Sequence, residues 1–343
     1  MLRNPNDERE RLAAIITSPN NDRFAEVIVN RLWQRYLGHG LVEPVHNWQD
    51  VEPIDPQLLA ALAEEFIDGG YDLKALARLI LTSETYQRQP LTEPDSELAG
   101  LLPVRRKMTA EQIVDSLFVA CGKRLKAGEL NIDSEGGREL RISINFGRPT
   151  RAWEFTSLSN ERDRPGLALP KVRPFVTLMQ AFGWEGARQT TVPDRDDAPT
   201  VLQPGLLANG VASARFTRLS DDSDFTRLAL EADSTGSLVE ETVLRVLGRP
   251  ATPAEKKLFG QLLDEGFGER IVEAQPIPFR DYTTTGVGWT NHLHPDATVA
   301  QNKLQEEVTA GDPPTPRLTE NWRLRYEDVL WSLLNSPEFV FVP

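Results

Sequence analysis

Cysteine is nearly absent from this 343-residue chain: Cys121 stands alone, which rules out an internal disulfide and any multi-cysteine metal cluster. No apolar run approaches the roughly 18 residues that cross a bilayer, and the N-terminus lacks the apolar core of a secretory signal. Basic residues are also scarce. Against 51 Asp and Glu there are 38 Lys and Arg, a formal charge of −13 that repels phosphate backbones and argues against nucleic acid as a partner. The strong catalytic signatures are missing too. There is no Gly-x-Ser-x-Gly elbow, no phosphate loop, no His-Glu-x-x-His and no Cys-x-x-Cys-His for covalent haem.

What is there is helical punctuation. Thr17 to Leu41 reads as a loop, an N-cap at Asp22, an amphipathic helix carrying Asn30, Arg31 and Trp33, and a glycine stop at Gly38. Asp55 precedes Pro56 at the first position of a helix, where a missing N–H costs nothing, and Gly69 and Gly70 end it. Asp72 caps the next. Capping boxes are expected at Thr109 with Gln112, Ser237 with Glu240, and Thr252 with Glu255. A short helix over about Ala297 to Thr309 and a final one over about Glu320 to Leu334 complete the pattern. Cys121 falls at helical spacing from Ile113, Val114, Leu117 and Phe118, so it is expected as a small buried hydrophobe.

The fold class expected is therefore mainly α: an irregular multi-helix domain in two lobes, with long loops and at most a short β element in the centre. The N-terminal lobe is set at 1–125, an irregular Arg-rich connecting region at 126–200, and the C-terminal lobe at 201–343, with a long loop insertion at 271–317. The alternating stretch from Arg141 to Phe146 is the one candidate strand. Two helix ends, Leu79 to Tyr86 and Leu333 to Phe339, share a Ser followed three residues later by an aromatic. An aromatic tucked back onto the core explains this better than a duplication.

The polar centre holds the main candidate site. Arg148, Arg151, Arg162, Arg164 and Arg173 precede Arg188, Gln189 and Arg195, and then come Gln203 and Asn209. Planar guanidinium and amide groups on loops suit bidentate recognition of carboxylate, sulfate, phosphate or sugar hydroxyls. They suit equally the satisfaction of backbone carbonyls within a loop. Arg188, Gln189, Arg195, Gln203 and Asn209 form the ligand or partner site under the first reading, with Asp194 or Asp196 as acid–base carboxylate. Asn30, Arg31 and Trp33 form a second candidate patch. His292 and His294 near Asp296 read as a surface turn rather than a metal site, and Asp221, Asp222 and Asp224 as an acidic helix start. No metal ligand set and no catalytic residue is assigned.

The stretches from Leu12 to Trp33, Gly38 to Pro44, Gly70 to Tyr86, Arg188 to Gly210, Val246 to Glu255 and Tyr326 to Phe339 resemble, in order, the domain-of-unknown-function family 1553, the planctomycete-type PSD domain. The resemblance implies a domain near the C-terminal end of larger exported proteins, beside another domain of unknown function and often a cytochrome-like segment. It implies that any haem belongs to the parent and none to this chain, which lacks the attachment motif. It supplies no catalytic residues to carry over. The function expected is a non-catalytic helical module of an exported, periplasmic or cell-envelope protein, mediating assembly or partner positioning beside neighbouring domains. The alternative is a hydrolase or binder of an anionic or polysaccharide substrate that uses the cluster at 188–209. Docking onto a sulfatase-like or cytochrome partner is a third reading.

Overall fold

The computed structural model describes residues 4, 6–90, 101–125, 131–132, 144–145, 149–158, 170–184, 198–278 and 295–342. Among these the chain is mainly helical, with thirteen α-helices. They fall into two compact units, Met1–Arg106 and Lys107–Pro343.

The first unit holds α1 (Glu8–Ile16), α2 (Asp22–Leu37), α3 (Pro56–Asp68) and α4 (Leu73–Leu81). Asn21, not Asp22, is the N-cap of α2. The Asn21 amide donates to the Ile16 carbonyl at 2.7 Å, so the cap residue faces the preceding turn while Asp22 occupies the first helical turn. α2 buries Ala25, Val29, Trp33 and Leu37 against Leu59, Leu62 and Phe66 of α3 and Leu76 and Ile80 of α4. Gly38 ends α2 at φ 97°, and a Cβ there would collide with the Val104 and Arg106 side chains. That returning strap is bonded by the Val104 N–H to the Leu37 carbonyl at 2.8 Å.

The second unit begins with α5 (Ala110–Cys121), capped by the Thr109–Gln112 box. The unit boundary thus falls between 106 and 107 rather than at 125. The reason is α5 itself: Ile113, Val114, Leu117, Phe118 and Cys121 lie in the second unit's core with Phe175, Phe216 and Leu228. A two-residue antiparallel pair joins β1 (Asn131–Ile132) to β2 (Ile144–Asn145); β2 falls inside the stretch expected as a strand, whereas β1 was not expected. A 3-10 turn (Ala152–Leu158) follows. Then come α6 (Arg173–Ala181), α7 (Leu202–Ala208), α8 (Val211–Thr217), α9 (Asp224–Glu231), α10 (Thr235–Leu247), α11 (Pro253–Asp264), α12 (Ala297–Ala310) and α13 (Glu320–Leu334). Most of residues 126–200, the expected connecting region, lies outside the described residues.

α10 starts one turn before the expected box. Its N-cap is Ser234, whose hydroxyl accepts from the Ser237 N–H at 3.1 Å while the Ser237 hydroxyl reaches back to the Ser234 N–H at 3.3 Å. Ser237 therefore takes the reach-back position that Glu240 was expected to fill. α13 runs through the core, with Trp322, Tyr326, Val329, Leu330 and Leu333 buried. The Tyr326 hydroxyl lies 2.7 Å from that of Thr242 on α10, and the Thr242 hydroxyl donates to the Leu238 carbonyl at 2.6 Å. Phe339 is buried after α13 and Tyr86 packs half-buried after α4, each an aromatic folded back onto its own unit's core.

Candidate functional site

Asn30, Arg31 and Trp33 do not form one patch. Asn30 is wholly buried; its amide donates to the Val42 carbonyl at 2.9 Å and accepts from the Val42 N–H at 3.0 Å. Both backbone groups of one loop residue are thereby satisfied by a single helical side chain. Trp33 is buried in the same core, whereas Arg31 is exposed on the outer face of α2. Successive residues point about 100° apart around a helix, so Asn30 faces the core while Arg31 faces out.

Of the second set, Arg188, Gln189 and Arg195 lie outside the described residues, as do Asp194, Asp196, His292 and His294. Gln203 is buried. Its amide nitrogen donates to the carbonyls of Ala181 and Ala198 at 3.0 and 3.1 Å, and its oxygen accepts from the Lys107 ammonium at 2.8 Å. Gln203 thus ties α7 to the end of α6 and to the chain at Ala198. Asn209, six positions on, is exposed at the C-cap of α7. The two residues are not brought together on one surface.

The densest polar cluster was not foreseen. It surrounds the loop at 218–223 between α8 and α9. Gly122 stops α5 at φ 67°, where a Cβ would collide with Asp224, and the turn directs Lys123 inward. The Lys123 ammonium, removed from water, donates to the carbonyls of Arg215 and Arg218 at 2.6 and 3.1 Å and to Asp312 at 3.2 Å. The buried Cys121 thiol donates to the Phe216 carbonyl at 3.1 Å. Carbonyls at and just beyond the end of α8, which helix geometry leaves without partners, are closed by these two side chains. Burial pushes the Cys121 thiol up to about 12, so it is no thiolate nucleophile near neutral pH.

Asp312 completes the cluster. Arg215 donates to its two carboxylate oxygens at 2.6 and 2.7 Å, and Arg218 donates to the Ala310 and Asp312 carbonyls at the end of α12. Burial pushes the Asp312 carboxyl upward, but the neighbouring Lys123 and Arg215 cations outweigh it and hold it below the usual carboxylate range. Burial lowers the Lys123 ammonium despite Asp312. Asp221, three residues past Arg218, accepts from the Ile277 N–H at 2.8 Å, the Thr315 hydroxyl at 2.7 Å and Arg317 at 3.1 Å. Glu327 accepts from the Leu219 N–H at 2.9 Å and from Arg323 at 2.7 Å. Asp221 therefore pins distant segments instead of merely opening α9.

The family model described as PSD1, a protein of unknown function (DUF1553), matches residues 8–263. The chain belongs to that family. No curated protein matches it. No solved structure matches it either. The PSD1 stretch carries Lys123, Arg215, Arg218 and Asp221, whereas Asp312, Arg317 and Glu327 come from residues beyond it. One partner of each of the Lys123–Asp312, Arg215–Asp312 and Arg317–Asp221 pairs thus lies outside the matched region, and the Arg323–Glu327 pair lies wholly beyond it. Among the described residues no helix is long and apolar enough to cross a membrane.

Chemically, the cluster is closed. Each anion is matched to cations and N–H donors, and each cation to carbonyls or carboxylates. Such an arrangement immobilises chain segments. The only sequence hint of it was Lys123 after a glycine stop, a position normally left in water.

Proposed function

We propose that this PSD1 chain is a non-catalytic helical module of a larger exported or cell-envelope protein of planctomycete type, holding a neighbouring domain or envelope partner in position. The observation that carries the reading is α1. None of its nine residues is buried, and Leu12, Ile15 and Ile16 are 58%, 66% and 44% exposed. A helix this short is marginal in water without tertiary packing. Exposed aliphatic groups gathered on one element mark a contact surface. The closed charge cluster of the second unit supports the same reading, because its polar groups brace the fold.

The alternative, a hydrolase or binder of an anionic or polysaccharide substrate, draws on Arg188, Gln189, Arg195, Gln203 and Asn209, of which only Gln203 and Asn209 fall among the described residues. Gln203 is occupied by two carbonyls and an ammonium, which counts against that use. Haem, where the parent carries it, would be held by other domains of the parent.

The test mixes this chain with the separately purified adjoining domains of its parent and follows association by analytical ultracentrifugation. A complex is expected with native chain and not with a Leu12→Asp, Ile15→Asp variant of unchanged circular dichroism. Association indifferent to those changes, or turnover of a polysaccharide or anionic ester by the purified chain, overturns the proposal.

A further inference from the structure

Asn209 is followed by Gly210, and this is the only Asn-Gly pair in the chain. Both residues are exposed, in the joint between α7 and α8, with Asn209 at φ −137° and ψ 88° and Gly210 extended as the N-cap of α8. Among the described residues no hydrogen bond holds the Asn209 side-chain amide or the Gly210 N–H. α7 is seven residues long and buries only Gln203, while Val201 and Leu202 at its start are 89% and 63% exposed. Leu206 and Leu207 pack half-buried against the core, but the exposed joint that follows them, with the Gly210 N–H unbonded, belongs to the low end of local opening free energies. The Asp68 and Gly69 pair makes the contrast: the Gly69 N–H is tied to the Glu65 carbonyl at 2.9 Å.

From this we infer that Asn209 is a site of spontaneous covalent modification, in which water converts its amide to aspartate and isoaspartate. The Gly210 backbone nitrogen attacks the Asn209 side-chain carbonyl carbon. The bond from that carbon to the amide nitrogen breaks, and ammonia leaves carrying the backbone proton. A five-membered imide results. Water then adds to either imide carbonyl and opens the ring, giving aspartate through one and isoaspartate through the other, with no change of oxidation state. Ring closure requires rotation away from ψ 88°, which the following residue permits because it has no Cβ to obstruct the turn.

The product matters to the fold because of what adjoins it. The Ala208 carbonyl accepts from the Trp331 indole N–H at 2.9 Å and from the Ser213 hydroxyl at 3.4 Å. Isoaspartate inserts a methylene into the backbone immediately after that carbonyl. Either product places a new negative charge ahead of α8.

The experiment incubates the purified full chain in oxygen-18 water at mildly alkaline pH, folded and in urea, with peptide mapping by mass spectrometry over time. The folded chain is expected to acquire labelled aspartate and isoaspartate at 209 at a rate within about tenfold of the unfolded chain, as an unprotected segment should. A folded rate slower than that shows that the joint shields the pair, and the assignment fails. An exposed Asn209→Gln variant should lose the isoaspartate signal of the folded chain. A signal that persists in it places the chemistry elsewhere and equally overturns the assignment.

Discussion

Lys123 and Asp312, 189 positions apart, meet at 3.2 Å with both side chains removed from water. The pair is unequal. Asp312 also receives Arg215 through both oxygens, whereas Lys123 also closes two helix-end carbonyls. Removing the carboxylate leaves the buried Lys123 ammonium and the half-buried Arg215 without their shared anion; removing the ammonium leaves Asp312 with its arginine. Asp312→Ala should therefore destabilise the chain by about 3–5 kcal/mol, the range for breaking a buried pair from one side. Lys123→Met, which keeps the aliphatic stem, should cost about 1–3 kcal/mol through the uncapped carbonyls. Urea denaturation of both variants checks the order. An Asp312 variant no less stable than the Lys123 variant contradicts it.

Asn30 makes a sharper case, because its neighbour in sequence serves as the control. Asn30→Ala leaves the Val42 N–H and carbonyl buried without partners, at an expected cost of about 2–4 kcal/mol. Arg31→Ala, on the exposed face, should stay within about 0.5 kcal/mol of the native chain. Native-state hydrogen exchange gives a second readout: the Val42 amide should lose protection in the Asn30 variant alone. Equal exchange at Val42 in both variants would mean that the loop is held by something other than this amide.

These two sites show where a sequence is legible and where it is not. Asp55 with Pro56, and Thr252 with Pro253 and Glu255, were readable as helix starts because the bonds they make close within three residues. The start of α10 was missed because Glu240 offers a longer acidic reach-back than the serine that performs it. Cys121 was readable as buried from its spacing on α5, but the unit it packs into was not, since a helical stripe does not say what faces it. Asn30 stood out as an amide on an amphipathic helix. Its partner at Val42 lies twelve positions away, across a turn whose path the pattern does not encode. Asp312 sits between a glycine and prolines and looks like any loop acid, and only the packed fold brings it to Lys123.

Arg249 supplies a pH-dependent brace of known sign. Its guanidinium donates to Glu255 at 2.8 and 2.9 Å and to Glu338 at 2.6 and 2.7 Å, joining the start of α11 to the turn after α13. The Arg249 bonds, with the Thr252 N–H and hydroxyl, hold the Glu255 carboxyl at about 2, against an ordinary value of 4.5. A carboxyl depressed in the folded state contributes stability that is fully present above its unfolded pKa. That contribution fades as pH falls from about 4.5 toward 2. Glu255→Gln should therefore be less stable than the native chain at neutral pH by about 1–3 kcal/mol, allowing for its partial exposure. The gap should close on acidification, because protonated glutamate and glutamine then make similar bonds to Arg249. Thermal unfolding of both chains across that pH window measures the gap directly. A difference that stays constant down to pH 2 would mean that Glu255 braces the fold by shape and neutral hydrogen bonds, with its charge contributing nothing.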